Sequence, residues 1–302
     1  MLKLIFLDQR VMYLMVTTLV VYSISVGFTP NAHLVLPDVL ASHGHYFLIG
    51  LIAAIVANTT GAGGGIVFFP AFVAMGVPAY TALATSFAIQ CFGMTAGALA
   101  WRRVRLAELV PQSWSLFKPL LLWSAPCSVA GLLLCQWLWP NPPLSVHTLF
   151  SWFSIFVGFS LFFRLYRVRR YEQEENKTTI AEPVLMISVA VVSFIGGIIT
   201  AWLSIGVGEL IAVWLMLLGV GVNLAVAVAV TVSAMSVWFA MPYHIAITQW
   251  VDTDIVLFAA PAAAIGGTLA GWIATKVGPM RLKLFVATWV TLSGVAYLIL
   301  NP

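Results

Sequence analysis

Apolar residues fall in stretches near twenty residues long, the length a helix needs to cross a hydrocarbon core of about 30 Å. Seven such stretches stand out as predicted membrane helices: Val11–Phe28, Tyr80–Trp101, Pro119–Trp139, Val146–Phe163, Leu224–Met241, Ile255–Val277 and Leu284–Leu300. Two further apolar regions are broken. Tyr46 to Met75 is interrupted by Gly61-Ala62-Gly63-Gly64-Gly65, and Pro183 to Leu218 by Ser204-Ile205-Gly206-Val207-Gly208-Glu209. As helices, Tyr46–Thr60 reaches roughly 22 Å and each of Ile66–Met75 and Glu209–Leu218 roughly 15 Å, so these arms read as re-entrant hairpins. Pro183–Leu203 is long enough to span by itself. The apolar run after Arg10 is too long for a signal peptide and no small-residue cleavage site follows it, which predicts a retained helix.

The positions of the charges decide how the broken regions cross. With an even number of passes for each, every Lys and Arg falls on one side of the membrane, whereas single passes would turn nine of the fourteen outward. Basic residues resist translocation, so the even count follows, with the N-terminus inside and the C-terminus outside a cytoplasmic membrane. Composition agrees: 62% of the 302 residues are apolar and 8% charged, and mean hydropathy is +1.02. That excludes a soluble enzyme. The net charge of +4 comes from short clusters between apolar runs, the pattern of cytoplasmic loops rather than of a nucleic-acid surface. Cys91, Cys127 and Cys135 lie inside apolar runs without metal-ligand spacing and read as core packing.

The two halves match one another. A shift of 143 residues lays Gly63, Gly65 and Gly76 over Gly206, Gly208 and Gly219, and Ala82 and Ala84 over Ala225 and Ala227. Beyond the next loop a shift of 135 lays Ala125-Pro126 and Gly131 over Ala260-Pro261 and Gly266. Each copy holds one hairpin and three crossings, an odd number that inverts the second copy. The expectation is an all-α polytopic protein: an N-terminal helix and outside loop (1–45), a first repeat (46–163), a charged cytoplasmic linker (164–182) and a second repeat (183–302). In the linker, Arg167, Arg169 and Arg170 are placed to attract acidic lipid.

Gly61-Ala-Gly-Gly-Gly-Ile-Val-Phe-Phe-Pro70, then Gly76-Val-Pro and Ala82-Leu-Ala-Thr85-Ser86, resembles the signature of the sulfite exporter TauE/SafE family of permeases. The second half carries a weaker counterpart, with no triple glycine and with Val228-Ala229 where Thr85-Ser86 would map. The resemblance implies a multi-pass permease for small sulfur-containing or organic anions such as sulfite, sulfonates or sulfoacetate. It leaves the substrate of this member open.

Transporters built from inverted repeats bind substrate near the midplane, where broken helices offer unpaired backbone groups. Glycine suits such a break because a ligand can approach its main chain closely. Helix N-termini at Gly65 and Gly208 would present N–H groups and partial positive charge to an anion without any buried Lys or Arg. The candidate substrate residues are therefore Gly61, Gly63, Gly64, Gly65, Ser204, Gly206 and Gly208. Hydroxyls and amides on neighbouring spans join them: Thr85, Ser86, Thr231, Ser233, Gln90 and Asn58. For each hydroxyl, a bond to its own helix carbonyl is the competing reading. Scattered glycines such as Gly131 and Gly266 read as helix packing.

Glu209 is the acidic side chain placed deepest in apolar sequence, which makes it a functional candidate by default. It reads either as a coupling group that carries a proton through the cycle or as an N-terminal cap of its helix. His43-Gly44-His45, with His33, is too sparse for a metal site, and His147 and His244 fall at predicted outer span ends as interfacial residues. No cofactor is implied; the expected partners are a small anion, a coupling ion such as a proton, and the bilayer. An anion channel would use the same helix ends. A membrane enzyme is disfavoured by the lack of HExxH, paired intramembrane aspartates or a nucleophile with a nearby histidine.

Overall fold

The computed structural model describes residues 44–107, 114–170, 181–277 and 279–300, so the predicted helix Val11–Phe28, His33, His43 and Lys177 lie outside the described residues. The chain forms α1 (Tyr46–Thr60), α2 (Gly65–Ala74), α3 (Ala79–Ala107), α4 (Phe117–Leu138), α5 (Val146–Arg170), α6 (Glu182–Leu203), α7 (Val207–Leu217), α8 (Val222–Tyr243), α9 (Thr253–Val277) and α10 (Pro279–Leu300). A π-turn, His244–Thr248, prolongs α8. No strand occurs among the described residues. Six of these helices are long and apolar enough to cross a membrane: α3, α4, α5 through Phe163, α6, α8 with its π-turn, and α9 through Ala274. The helix α5 runs on through Arg170, so Arg164, Arg167, Arg169 and Arg170 extend a helix instead of opening the linker as expected.

Local chemistry sets the ends of the hairpins. Gly61 closes α1 in the left-handed region (φ 81°), donating its N–H to Ala57 O. Ser204 closes α6 in the same region (φ 57°), donating to Thr200 O. The second arms also end alike: Gly76 N–H reaches Val73 O and Val77 N–H reaches Phe72 O, while Gly219 N–H reaches Met216 O and Val220 N–H reaches Leu215 O. These are Schellman closures, and each needs glycine at the left-handed position.

The packing is reciprocal. The first arm of each hairpin lies against the second long helix of the other half, α1 on α9 and α6 on α4, while α3 meets α8 and α5 meets α10. Small residues permit the closest approaches. Gly131 lies on the backbone of Phe194, Gly197 on that of Ser128, and Gly266 on that of Leu51, so Gly131 and Gly266 serve packing. Helix α9 runs parallel to α3, with Gly93 beside Ala263 and Gly271 beside Ala100. Helix α8 runs antiparallel to α3, stacking His244 on Phe87 and hydrogen-bonding Trp238 to Thr95.

One end of the molecule therefore gathers the junctions α3–α4, α5–α6, α7–α8 and α9–α10, and every Lys and Arg among the described residues belongs to that basic face. The hairpin α1–α2 opens on the opposite face and α6–α7 on the basic face. Around the outside, Leu122, Trp152, Phe159, Ile187 and Leu292 are all more than half exposed. A surface this apolar is solvated by lipid tails.

Candidate functional site

The two helix breaks meet in the interior. Ser204 O would lie 2.6 Å from a Cβ on Gly65, and Gly61 O 2.5 Å from a Cβ on Gly208, so each break touches the other through main chain that a side chain would push apart. Glycine here is a packing requirement set by the opposing backbone.

Two side chains stitch the breaks together. Glu209 is the third residue of α7 and is 2% exposed. Its Oε2 accepts the N–H of Gly206, 2.8 Å away, at the cap of its own helix, and its Oε1 accepts the N–H of Gly63, 2.7 Å away, in the other half. Burying a carboxylate is costly; backbone donors and the N-terminal end of α7 offset part of that cost. From α3, Gln90 Oε1 accepts the N–H of Gly64 at 2.9 Å. Its Nε2 faces Ser204 Oγ at 2.8 Å, Ser204 O at 3.1 Å and Ser86 Oγ at 3.0 Å. Ser204 Oγ in turn donates to Ser86 Oγ at 3.2 Å.

The helix-end donors of Gly63, Gly64 and Gly206 are thus engaged by Glu209 and Gln90, where the sequence suggested N–H groups open to an anion. Ser233, 2% exposed, holds its Oγ without a hydrogen-bond partner beside Gly208.

The structure brings Gly61, Gly63, Gly64, Gly65, Ser86, Gln90, Ser204, Gly206, Gly208, Glu209 and Ser233 into this seam. Three candidates lie apart from it. Thr85 Oγ1 accepts the N–H of Asp252 ahead of α9, and Thr231 Oγ1 donates to Ala227 O of its own helix. Asn58 Nδ2 donates to Ala54 O and Gly93 O, away from the breaks. His244 is 7% exposed and stacked on Phe87, so it belongs to the interior rather than to the interface as expected.

One contributor went unpredicted. Thr200 Oγ1 accepts the N–H of Val207 at 2.9 Å and donates to Gly196 O, satisfying the first amide of α7. A hydroxyl one turn before a break was the available signal, and it was masked by the frequency of hydroxyls that bond only their own helix.

The sequence model of the sulfite exporter TauE/SafE family matches residues 46–297, which include every residue of the seam. No curated protein and no solved structure matches the chain.

Proposed function

The chain belongs to the sulfite exporter TauE/SafE family of membrane transporters, and from that premise we propose that it is a secondary transporter whose small sulfur-containing anion binds at the seam of the two breaks. The observation that carries this reading is Glu209 joining Gly63 N–H of one break to Gly206 N–H of the other. While ionised, the carboxylate holds both donors, ties the halves together and repels an incoming anion. Proton uptake turns one of its acceptor oxygens into a donor hydroxyl, so one backbone N–H is released at the moment the repulsion disappears. A sulfite or sulfonate oxygen then takes the released donor in place of the carboxylate. Proton and anion occupy the seam together, and the stitch re-forms when both have left.

The reciprocal packing of the hairpins, opening on opposite faces, supports an inverted repeat and alternating exposure of one site. The gathering of all described Lys and Arg positions at one end supports a cytoplasmic basic face in the cell membrane.

Proteoliposomes test the reading. Wild-type protein should accumulate sulfite or sulfoacetate against its gradient when a pH gradient is imposed, which an anion channel cannot do. Glu209→Gln should keep substrate exchange at equal pH and lose acceleration by the pH gradient. Unaltered pH dependence in the variant would falsify the proton role of Glu209.

A further inference from the structure

The two ends of the molecule are packed differently at matching places. At the 143-residue offset Trp101 of α3 corresponds to His244 at the end of α8, and Asn58 of α1 to Ala201 of α6. Toward the basic face the pair is closed. Trp101 is 2% exposed, shares an apolar cluster with Trp114, Leu215 and Met216, and donates its Nε1–H to Asn58 O at 2.8 Å. Toward the opposite face the pair is open: His244 and Ala201 line a cavity of about 170 Å³ together with Gln136, Asn141, Trp202 and Thr248.

Three features assign that cavity to water and to small polar solutes. Its volume holds roughly six waters at about 30 Å³ each. Gln136, a lining residue, is 3% exposed and its Oε1 has no partner within the protein, so a buried polar group without its full set of hydrogen bonds stands at this wall. The π-turn His244–Thr248 forms another part of the wall, and such turns are frequent at functional sites. The floor is close to the seam. Leu83 and Ala201, both lining residues, lie three residues, about 4.5 Å along a helix, before Ser86 and Ser204.

We infer that this cavity is the hydrated access vestibule to the seam from the face opposite the basic loops, and that Trp101 closed on Asn58 is the gate of the basic face. The inference rests on the transport reading above and on the pairing of the two halves. Exposing the seam to the basic face requires the indole to leave Asn58, while the vestibule around His244 and Ala201 collapses.

The matched positions make the test. In nanodiscs both faces are accessible, and peptide-resolved mass spectrometry reads thiol modification at each site, so the native cysteines stay in place. Ala201→Cys should react with a small methanethiosulfonate reagent at least about tenfold faster than Asn58→Cys, the ratio of a strongly biased two-state gate. Adding Trp101→Ala to Asn58→Cys should bring its rate to within a few-fold of the Ala201→Cys rate. Trp101→Phe, which keeps the ring and removes only the Nε1–H donor, should give a smaller rise and guards against misfolding of the alanine variant. Trp101→Ala should also dissipate sulfite gradients that the parent maintains. Equal rates for the two cysteines in the parent overturn the vestibule. Asn58→Cys remaining slow in folded Trp101→Ala and Trp101→Phe proteins overturns the gate. Failure of the parent to move any sulfur anion would instead count against the transport reading, since the labelling asymmetry does not depend on the substrate.

Discussion

The two helix breaks share a backbone plan and divide the chemistry between them. Both begin with a left-handed closing residue, Gly61 or Ser204, and both second arms end in a Schellman closure at Gly76 or Gly219. At the seam they differ. Ile66 stands where Glu209 stands in the other half, and Gln90 where Ser233 stands. The first break contributes bare amides, Gly63 N–H and Gly64 N–H; the second contributes the carboxylate that covers one of them. The two halves thus meet unequally, and a single carboxylate bonds both breaks at once.

Forcing the halves apart should have the largest effect. In Gly208→Val the new side chain meets Gly61 O and Ser233 Oγ, and because the first of these is main chain the seam must open. Transport should be abolished, and the stability measured by thermal unfolding should fall by about 1–3 kcal/mol or more, the range for overpacking.

The next contrast sets Gln90 against its counterpart Ser233. Gln90→Leu leaves the Gly64 N–H and the Ser204 carbonyl without their side-chain partner and should cost roughly 1–3 kcal/mol in an unfolding titration. Ser233→Ala removes a hydroxyl that has no partner and should change stability by less than about 0.5 kcal/mol. If Ser233 serves the substrate, the alanine variant will raise KM for sulfite while leaving thermal unfolding where it was. Comparable stability losses in the two variants would show that the seam does not rely on Gln90 more than on Ser233.

Opposing contributions should nearly cancel in Ser204→Gly. Glycine relieves a left-handed conformation that costs a side chain about 1–2 kcal/mol, and it loses the hydroxyl contacts to Gln90 and Ser86, worth about 1 kcal/mol each. A net change within about 1 kcal/mol is expected, with the transport rate reporting whether the hydroxyl itself handles substrate.

Much of this architecture was legible in the order of residues. A bilayer forces backbone polar groups into helices, so apolar length alone predicts where α3 to α6 and α8 to α10 run. Glycines in apolar sequence announce the breaks, and Glu209 is conspicuous because a carboxylate has no ordinary place there. Neighbouring residues on a helix were harder. Thr85 and Ser86 point in directions about 100° apart, and nothing local says which faces the seam; packing turns Ser86 toward Ser204 and Thr85 toward Asp252. The burial of His244 was illegible for a related reason: a span end reads as interface until a π-turn and Phe87 enclose it.

By itself the sequence determined the membrane as solvent, the number and placement of the described helices, the two breaks and the presence of one acidic group among them, because each follows from local composition and segment length. Only the tertiary structure decided that Gly63 and Glu209, 146 residues apart, would meet, and that the helix-end donors would be covered by the protein's own carboxylate and amide. Those pairings arise when two half-buried hairpins must satisfy their exposed amides against each other, a requirement that exists only after the halves have packed.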